Sequence, residues 1–285
     1  MRALVTGATG FVGRNLCDHL LAEGWSVVAV HRESSSTEKL DKLRASGVDT
    51  RAFSDFSELA EIVKSAQPDV LFHLAAYFTR SPRGDDLKDF IDANVTFGTY
   101  LLDALVDTSA VVVSTASYFQ YRAGEPAPNS LYASSKQAFV EIARFYIEQR
   151  SLDIRMVVLN DNYGPEDYRD KLINELVTAA RAGKPIALGS GDQWINLIHI
   201  RDLVAALVAA AEPGEPRVMA IRADRDVTVG AIVALVDAAI GKHLEATFDN
   251  DRATDDRVLE PGPWPRPSGW SPRVALAVGL KELLG

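Results

Sequence analysis

The stretch VTGATGFVGRNL, residues 5–16, lies between a short apolar run and a helical pattern and carries three evenly spaced glycines, Gly7, Gly10 and Gly13. Glycine permits a tight turn after a strand and lets a phosphate approach the backbone. The first turn of the helix that follows offers free N–H groups and a partial positive charge. Because strand, turn and helix follow in the required order, the stretch predicts a binding site for the pyrophosphate of a dinucleotide.

Short apolar runs alternate with amphipathic stretches over roughly the first 160 residues. Each run is continuous, which is typical of parallel strands that helices cover on both faces. The alternation predicts an α/β fold with a doubly wound parallel sheet of the Rossmann type. The predicted strands are 2–6, 26–30, 69–74, 110–114 and 154–159, and the predicted helices are 11–23, 57–66, 85–106 and 131–149.

After residue 160 the helical patterns are separated by loops rich in Gly and Pro, and the apolar runs become short. We therefore predict a dinucleotide-binding domain over 1–160 and a smaller C-terminal lobe over 161–285 that binds the substrate, with segments around 192–225 returning to the main sheet. The proline-rich region 249–273 is expected to be irregular. In the lobe, helices are predicted at 169–182, 200–211 and 227–240, and strands at 186–188, 195–199 and 217–221.

The composition restricts the partners and the location of the protein. A net charge of -9 argues against a nucleic-acid or anionic-membrane surface, because phosphate binding on that scale needs clustered Lys and Arg. The longest apolar run, 203–211, is too short to cross a bilayer, and the first residues lack the pattern of a signal peptide. The single cysteine, Cys17, excludes an intramolecular disulfide, and five scattered histidines lack metal-ligand spacing. We expect a soluble, cytoplasmic protein without a bound metal.

The stretch LYASSK, residues 131–136, places Tyr132 and Lys136 one turn apart on the same face of a predicted helix. The pKa of a tyrosine is ordinarily about 10, too high for efficient proton transfer at neutral pH. A lysine ammonium one turn away, together with the positive charge of a nicotinamide, would favour the phenolate and lower this pKa to about 7. The pair is therefore a candidate for proton transfer to or from a substrate oxygen.

The end of the second predicted strand indicates which dinucleotide is bound. A site specific for NAD(H) would have an acidic residue here to bind the ribose 2′-hydroxyl. His31 occupies that position instead, Arg32 follows it, and Arg14 lies in the glycine turn. Because a guanidinium binds a 2′-phosphate and a carboxylate repels it, NADP(H) is favoured over NAD(H).

The G-x-x-G-x-x-G spacing and the Tyr-x-x-x-Lys pair together resemble the extended branch of the short-chain dehydrogenase/reductase superfamily, to which NAD-dependent epimerases and dehydratases belong. The resemblance implies that Asp55 contacts the adenine, that residues 73–77 lie beneath the cofactor, and that two copies pair through a four-helix bundle that includes 85–107 and 131–150. The predicted cofactor-binding residues are Gly7, Thr9, Gly10, Phe11, Val12, Arg14, His31, Arg32, Asp55, Phe56, Leu74, Ala75, Ala76, Asn94, Tyr132 and Lys136.

The stretch 111–139 resembles the CDP-abequose and CDP-paratose synthases, which reduce the 4-keto group of nucleotide-linked 6-deoxyhexoses. The resemblance places Ser117 on their catalytic threonine, as the hydroxyl that holds the substrate oxygen, with Thr115 as the alternative. Ser117, Tyr132 and Lys136 are therefore the predicted catalytic residues. The implied substrate-binding residues are Tyr77, Thr115, Gln120, Asp161, Asn162 and Lys171.

Two positions depart from typical nucleotide-sugar epimerases. Asp161 stands where these enzymes have asparagine, and Ile195 stands where they have the arginine that binds a substrate phosphate. The resemblance implies the same two departures in the synthases named above. The cations that could replace the missing arginine are Arg80, Arg83, Arg122, Arg169 and Lys171.

An NADPH-dependent reductase of a nucleotide-diphosphate 4-keto-6-deoxyhexose is the leading hypothesis. Dehydratases of this family carry Asp and Glu after the catalytic threonine, whereas Tyr118 and Phe119 follow Ser117 here. A 4-epimerase that retains NAD fits poorly with Arg32 in place of an acid. A reductase of apolar ketones and a non-catalytic NADP(H)-binding regulator are further alternatives. The sequence contains no G-x-S-x-G motif, so a serine hydrolase is not supported.

Overall fold

The computed structural model describes residues 1–79, 83–84, 86–251 and 254–285. Its strands, in chain order, are β1 (Arg2–Thr6), β2 (Ser26–Arg32), β3 (Asp49–Phe53), β4 (Val70–His73), β5 (Val111–Ser117), β6 (Tyr121–Arg122), β7 (Glu125–Pro126), β8 (Asp153–Leu159), β9 (Asp161–Tyr163), β10 (Ile186–Leu188), β11 (Trp194–Ile195), β12 (Leu197–His199), β13 (Val218–Ile221), β14 (Val227–Thr228) and β15 (Ala246–Phe248). Seven of these strands form one sheet that is parallel throughout, in the order β13-β8-β5-β4-β1-β2-β3. The others pair in four small two-stranded sheets.

The strand order creates a crevice at one edge of the main sheet. β1 lies between β2 and β4, so the chain crosses from one half of the sheet to the other after β3. Ligands of such sheets bind beyond the carboxyl ends of the strands, where the order reverses. The topology therefore places the candidate site where β1 and β4 end, next to the glycine turn.

Helices cover both faces of the sheet. In the described residues they are α1 (Phe11–Ala22), α2 (Thr37–Ala45), α3 (Leu59–Ala66), α4 (Asp86–Ile91), α5 (Phe97–Ala104), α6 (Leu131–Arg150), α7 (Leu172–Ala182), α8 (Ile200–Ala209), α9 (Val229–Ile240) and α10 (Leu276–Leu284), with a π-helical turn, Asp92–Thr96, between α4 and α5.

Successive residues of β1 face two different apolar layers, because side chains alternate across a strand. Val5 packs in one layer with side chains of α1 and α8, such as Leu16 and Leu207. Leu4 packs in the other with side chains of α3, α5 and α6, such as Leu101. Both strand residues are fully buried, so the run of apolar residues at the start of the chain is explained by coverage on both faces.

The predicted doubly wound parallel sheet is confirmed, and the five strands predicted in the first 160 residues all lie in it. Four of the strands and α-helices that the structure describes in this region were not predicted, namely β3, α2 and the two-residue strands β6 and β7. β3 is an edge strand in which only Phe53 is buried, so its sequence DTRAF shows no apolar run. α2 buries only Leu40 and Leu43, which is too weak a pattern to indicate a helix.

The C-terminal region has an apolar cluster of its own. Leu176, Val236 and Leu280 are fully buried where α7, α9 and α10 meet, although α10 was not predicted. β13 instead lies in the main sheet beside β8. The described residues of 249–273 contain no helix or strand apart from the 3₁₀ turn Arg257–Leu259, as the proline content indicated. The division of the chain at residue 160 stays a prediction.

Large side chains on α5 and α6 remain exposed: Tyr100 is 46% and Phe145 is 48% accessible. These helices belong to the predicted four-helix bundle, and the homodimer stays a prediction. Within the residues that the structure describes, no helix is long and apolar enough to cross a membrane.

Gly98 lies where α5 packs against α6, and a substitution there probes this packing. A Cβ on Gly98 would lie 2.7 Å from Cζ of Phe139 and 2.9 Å from Nε2 of His73, both buried side chains. We expect Gly98→Ala to lower the free energy of unfolding by about 1–3 kcal/mol in urea titrations, because the core cannot accommodate the methyl group. The control is Gly230→Ala, whose Cβ would meet nothing closer than the Gly191 carbonyl oxygen at 3.3 Å. An unchanged or higher urea midpoint for Gly98→Ala would contradict this packing.

Candidate active site

The glycine turn lies in close contact with the segment that follows β4. Gly7 has a φ of +70°, and a Cβ on it would lie 2.8 Å from the backbone nitrogen of Ala75. A Cβ on Gly13 would lie 2.8 Å from Cα of Ala8, and the Gly10 N–H donates to the Gly7 carbonyl oxygen at 2.9 Å. Side chains at Gly7 and Gly13 would collide with this backbone, so these two glycines are required by the backbone geometry itself.

The first turn of α1 is free to bind an anion. Gly10 caps this 12-residue helix without a side chain that could accept from its first N–H groups. A helix N-terminus with unpaired N–H groups and its dipole favours a phosphate. Together with the glycine turn that no Cβ could occupy, this geometry fits the pyrophosphate of a nicotinamide dinucleotide.

A cleft of about 330 Å³ opens beside the glycine turn. Eight predicted cofactor-binding residues line it: Gly7, Thr9, Gly10, His31, Arg32, Leu74, Ala75 and Ala76. Tyr77, predicted to bind substrate, also lines it. The lining residues that the sequence did not indicate are Ala8, Val30, Ser35, Phe53, Ala93 and Phe97. Phe53 ends the unpredicted strand β3 and Phe97 begins α5, so only the tertiary arrangement identifies them.

The two arginines expected near the 2′-position have different surroundings. Arg32 is half-buried in the wall of the cleft, and no carboxylate in the described part of the chain forms an ion pair with it. Arg14 instead pairs with Glu166, with 2.9 Å between Nη1 and Oε2. Arg32 is therefore the cation that remains available to a ligand of the cleft.

Asp55 and Phe56 lie in the 3₁₀ turn after β3 rather than in the lining of the cleft. The carboxylate of Asp55 caps this turn by accepting from the Ser57 N–H at 2.8 Å, and the Ser57 hydroxyl and N–H lower its pKa. The ring of Phe56 packs with Phe97, with 6.1 Å between ring centroids. The expected contact of Asp55 with adenine stays a prediction.

Thr6 and His73 connect the ends of β1 and β4. The buried Thr6 hydroxyl accepts from the N–H groups of Leu74 and Ala75, both at 3.2 Å, so its own proton is donated to Nδ1 of His73 at 2.9 Å. Burial, with the positive charge of Lys136, lowers the pKa of His73 to about 3. His73 is therefore a neutral structural side chain.

Asn94 holds the segment after β4 against α6. From the π-helical turn, its side chain accepts from the Tyr77 N–H at 2.7 Å, and it donates to the Tyr77 carbonyl oxygen at 2.9 Å and to Oγ of Ser135 at 3.2 Å. The residue is 2% exposed. Asn94 therefore supports the cleft from behind, through the backbone of a lining residue.

Tyr132 and Lys136 lie on the first two turns of α6, which Ser130 caps by accepting from the Ala133 N–H. Burial lowers the pKa of Lys136 to about 8 and raises that of Tyr132 to about 12. The decrease expected at Tyr132 therefore does not occur in the protein alone, because loss of water around the phenol disfavours the phenolate. At neutral pH the pair is a neutral phenol and an ammonium, and the phenol carries a proton that it can donate.

The residues around Ser117 are fixed by a capping box at the end of β5. The Ser117 hydroxyl accepts from the Phe119 N–H at 3.3 Å, and the Ser117 N–H donates to Oε1 of Gln120 at 2.8 Å. Gln120 is fully buried and donates to Gln137, so both ends of its amide are used within the protein. Thr115 is 8% exposed within the strand. Of these side chains, Ser117 is the half-buried one with a proton still to donate.

Asp161 links two side chains of the predicted substrate region. Its carboxylate accepts from the Tyr118 hydroxyl at 2.9 Å and from Nζ of Lys171 at 3.1 Å. The Lys171 ammonium lies 5.7 Å from the centre of the Phe78 ring, whose edge-to-face contact with Tyr132 has 5.1 Å between ring centroids. Phe78 is thus in contact with both a half-exposed cation and the candidate proton donor.

Two of the other candidate cations are engaged in ion pairs. Arg169 donates to the carboxylate of Asp167 and to Oδ1 of Asn162. The side-chain oxygen of Asn162 is therefore also used within the protein. Arg122 pairs with Glu260 at 2.8 Å. Arg83 is exposed, and Arg80 lies outside the described residues. Among the described candidates, Lys171 is the one whose contacts lead through Phe78 to Tyr132.

Comparisons with known proteins agree with this fold. The model of the NAD dependent epimerase/dehydratase family matches residues 3–221. A UDP-glucose 4-epimerase of Mycolicibacterium smegmatis is 28% identical, over 99% of this chain and 97% of its own length. A dTDP-4-dehydro-6-deoxy-D-allose reductase of Streptomyces bikiniensis is 26% identical, over 87% of this chain and 84% of its own length. A CDP-abequose synthase of Salmonella muenchen is 24% identical, over 99% of this chain and 97% of its own length.

The structure of UDP-glucuronic acid 4-epimerase from Bacillus cereus, in complex with UDP-glucuronic acid and NAD, is similar in fold. It has a TM-score of 0.83 and 22% identity, with 100% of this chain and 98% of that chain covered. The fold and site define a dinucleotide-binding oxidoreductase. The chain belongs to the NAD dependent epimerase/dehydratase family, the extended short-chain dehydrogenases/reductases, as the resemblance implied.

The buried ammonium of Lys136 predicts a pH-dependent stability difference. The pKa of Lys136 is about 8 in the folded protein, against an ordinary value of 10.5. Between pH 8 and 10.5 the unfolded chain therefore binds more protons than the folded protein does. The buried lysine becomes less destabilising as the pH rises through this range. We expect Lys136→Met to be more stable than the parent at about pH 7, with a gain that shrinks from about pH 8 towards 10.5 in urea titrations. The exposed Lys64→Met is the control and should show no such trend. A gain that grows with pH would contradict the burial of this charge.

Proposed function

We propose that the protein reduces the keto group of a nucleotide-diphosphate 4-keto-6-deoxyhexose with NADPH. The observation that carries this proposal is the position of Tyr132, one helical turn from Lys136 and in contact with Phe78, over whose ring the Lys171 ammonium lies. Burial raises the pKa of Tyr132, so its phenol keeps the proton that it would donate. A proton donor and a cation that contact the same ring suit a substrate that has both a carbonyl and a negatively charged diphosphate. The relatives named as a reductase and a CDP-abequose synthase support the same substrate class.

The side chains after Ser117 argue against dehydration. Elimination of water needs an acid and a base, but the rings of Tyr118 and Phe119 pack together here, with 4.2 Å between their centroids. The Tyr118 hydroxyl is bound to Asp161, and burial and this carboxylate raise its pKa far above the ordinary value. Tyr118 therefore stays protonated and is a poor base, which leaves simple reduction as the better fit.

Each of three side chains would have its own role in the reduction. NADPH bound in the cleft would supply hydride to the carbonyl carbon. Tyr132 would donate its proton to the carbonyl oxygen, and Ser117 would donate a hydrogen bond to the same oxygen, since its hydroxyl only accepts from Phe119. Lys136 would hold the nicotinamide ribose and stabilise the phenolate that remains on Tyr132.

Lys171 would take the place of the arginine that binds phosphate in typical nucleotide-sugar epimerases. Ile195, at the arginine's position, pairs with Val227 between β11 and β14 and brings no charge. Lys171 is 38% exposed, and its ion pair with Asp161 leaves further N–H donors for a diphosphate. Asp161 would then position the lysine rather than bind the substrate directly.

The substrate class can be tested with a panel of ketones. We expect NADPH to be consumed with CDP-, dTDP- or UDP-linked 4-keto-6-deoxyhexoses and not with flavonoid or steroid ketones, measured by NADPH absorbance and product mass. Interconversion of nucleotide sugars without net NADPH consumption would instead indicate an epimerase. Consumption with apolar ketones alone would move the protein to that substrate class.

Tyr132→Phe removes the proton donor and keeps the ring. We expect single-turnover reduction to slow by about 10²- to 10⁴-fold, as is typical when a general acid is lost, while the dissociation constant for NADPH stays near that of the parent. Tyr100→Phe is the matched control, because Tyr100 is 46% exposed on α5 and should leave turnover unchanged. Near-parental turnover in Tyr132→Phe would remove this residue from the mechanism.

A further inference from the structure

Phe78 is a large apolar side chain that remains exposed at the candidate active site, with 53% of its surface accessible. An exposed apolar side chain by itself needs no explanation. Phe78, however, directly follows Tyr77, whose N–H and carbonyl oxygen are both bound by the side chain of Asn94. The exposed ring therefore stands on an anchored segment of backbone.

Two groups of the proposed mechanism contact this ring. The ring centroids of Phe78 and Tyr132 are 5.1 Å apart, with an angle of 84° between the rings, which is an edge-to-face arrangement. Nζ of Lys171 lies over the Phe78 ring, 5.7 Å from its centroid. Both distances fall within the range of favourable aromatic and cation–π contacts. The phenyl ring thus contacts the proposed proton donor and the proposed diphosphate-binding cation at the same time.

The sugar ring is the part of the proposed substrate that lies between the carbonyl and the diphosphate. A ligand whose keto oxygen meets Tyr132 and whose diphosphate meets Lys171 therefore brings its sugar to the Phe78 ring. A phenyl group neither donates nor accepts an ordinary hydrogen bond, so a hydroxyl or carboxylate pressed against it loses water without compensation. A methyl group has no such cost and gains apolar contact. The exposed ring therefore favours the least polar side of the sugar.

We propose that Phe78 determines specificity for a 6-deoxy sugar, by packing against the methyl group on C5 of the substrate. Of the two carbons beside the carbonyl carbon C4, C3 carries a hydroxyl and C5 carries the methyl group, so the apolar ring suits the C5 side. A hydroxymethyl or carboxylate group on C5 would instead place a polar group against the ring. This inference rests on the proposed function and adds the residue that distinguishes 6-deoxyhexoses from hexoses and uronic acids.

The experiment is an isothermal titration of glucose and 6-deoxyglucose, each linked to UDP, dTDP or CDP, into the protein with NADPH present. The two sugars differ by one oxygen atom, and neither has a keto group that NADPH could reduce. We expect the parent to bind the 6-deoxy sugar about 5- to 100-fold more tightly, the range typical of a hydroxyl placed against an apolar wall. Phe78→Ala should weaken binding of the 6-deoxy sugar and bring this ratio close to one, because water then reaches C6.

Two further variants separate apolar contact from other effects of the substitution. Phe78→Leu keeps an apolar side chain and should retain most of the preference for the 6-deoxy sugar. Phe145→Ala is the matched control, because Phe145 is a phenylalanine on α6 with a similar exposure of 48%. It lies more than three helical turns beyond Tyr132 and should leave the ratio unchanged.

The inference is overturned if the parent binds both sugars equally, or if Phe78→Ala keeps the parental ratio. Equal affinities in Phe78→Leu would also overturn it, since the preference would then not come from an apolar wall. Failure of the parent to bind any of these nucleotide sugars would overturn the inference together with the proposed function. A preference that depends on Phe78, without NADPH consumption on any nucleotide-linked ketone, would overturn the proposed function alone.

Discussion

The hydroxyl group of Thr6 joins the two strands between which the sheet reverses its order. It pairs with two backbone N–H groups after β4 and with the ring of His73, and the residue is fully buried. Gly7 follows at once, so near to Ala75 that no side chain fits between them. The floor of the cofactor cleft depends on this contact, because the glycine turn and the segment after β4 are both held by it. A buried polar group of this kind stabilises only when fully paired, which three bonds achieve.

Burial then sets the charges around the proposed catalytic residues. It lowers the pKa of His73 to about 3 and of Lys136 to about 8, and it raises that of Tyr132 to about 12. The imidazole stays neutral, so Lys136 does not face a second positive charge from it. A buried ammonium without a carboxylate partner costs stability, and such groups are typical of functional sites. The site therefore keeps one positive charge and one donatable proton ready at neutral pH.

Family membership does not decide the reaction, because epimerases, dehydratases and reductases share this fold. The chemistry is decided by side chains around a common framework. Tyr118 and Phe119 occupy the positions after Ser117 where a dehydratase needs its acidic pair. Each carboxylate oxygen of Asp161 accepts from one donor, the Tyr118 hydroxyl or the Lys171 ammonium. An asparagine at this position would have one acceptor oxygen, and its NH₂ group would face one of these donors. These contacts are the basis on which we propose reduction of a charged substrate.

The sequence by itself determined the fold class, the glycine turn and the Tyr132–Lys136 pair, because each depends on spacing along one strand or one helix. It could not reveal β3, whose only buried residue is Phe53, or the place of Phe53 in the cleft, because edge strands lack an apolar run. The raised pKa of Tyr132, the ion pair of Arg14 with Glu166 and the three bonds of Asn94 were decided by the tertiary structure alone. Periodicity is a local property of the chain, whereas burial and hydrogen-bond partners arise between residues that only folding brings together.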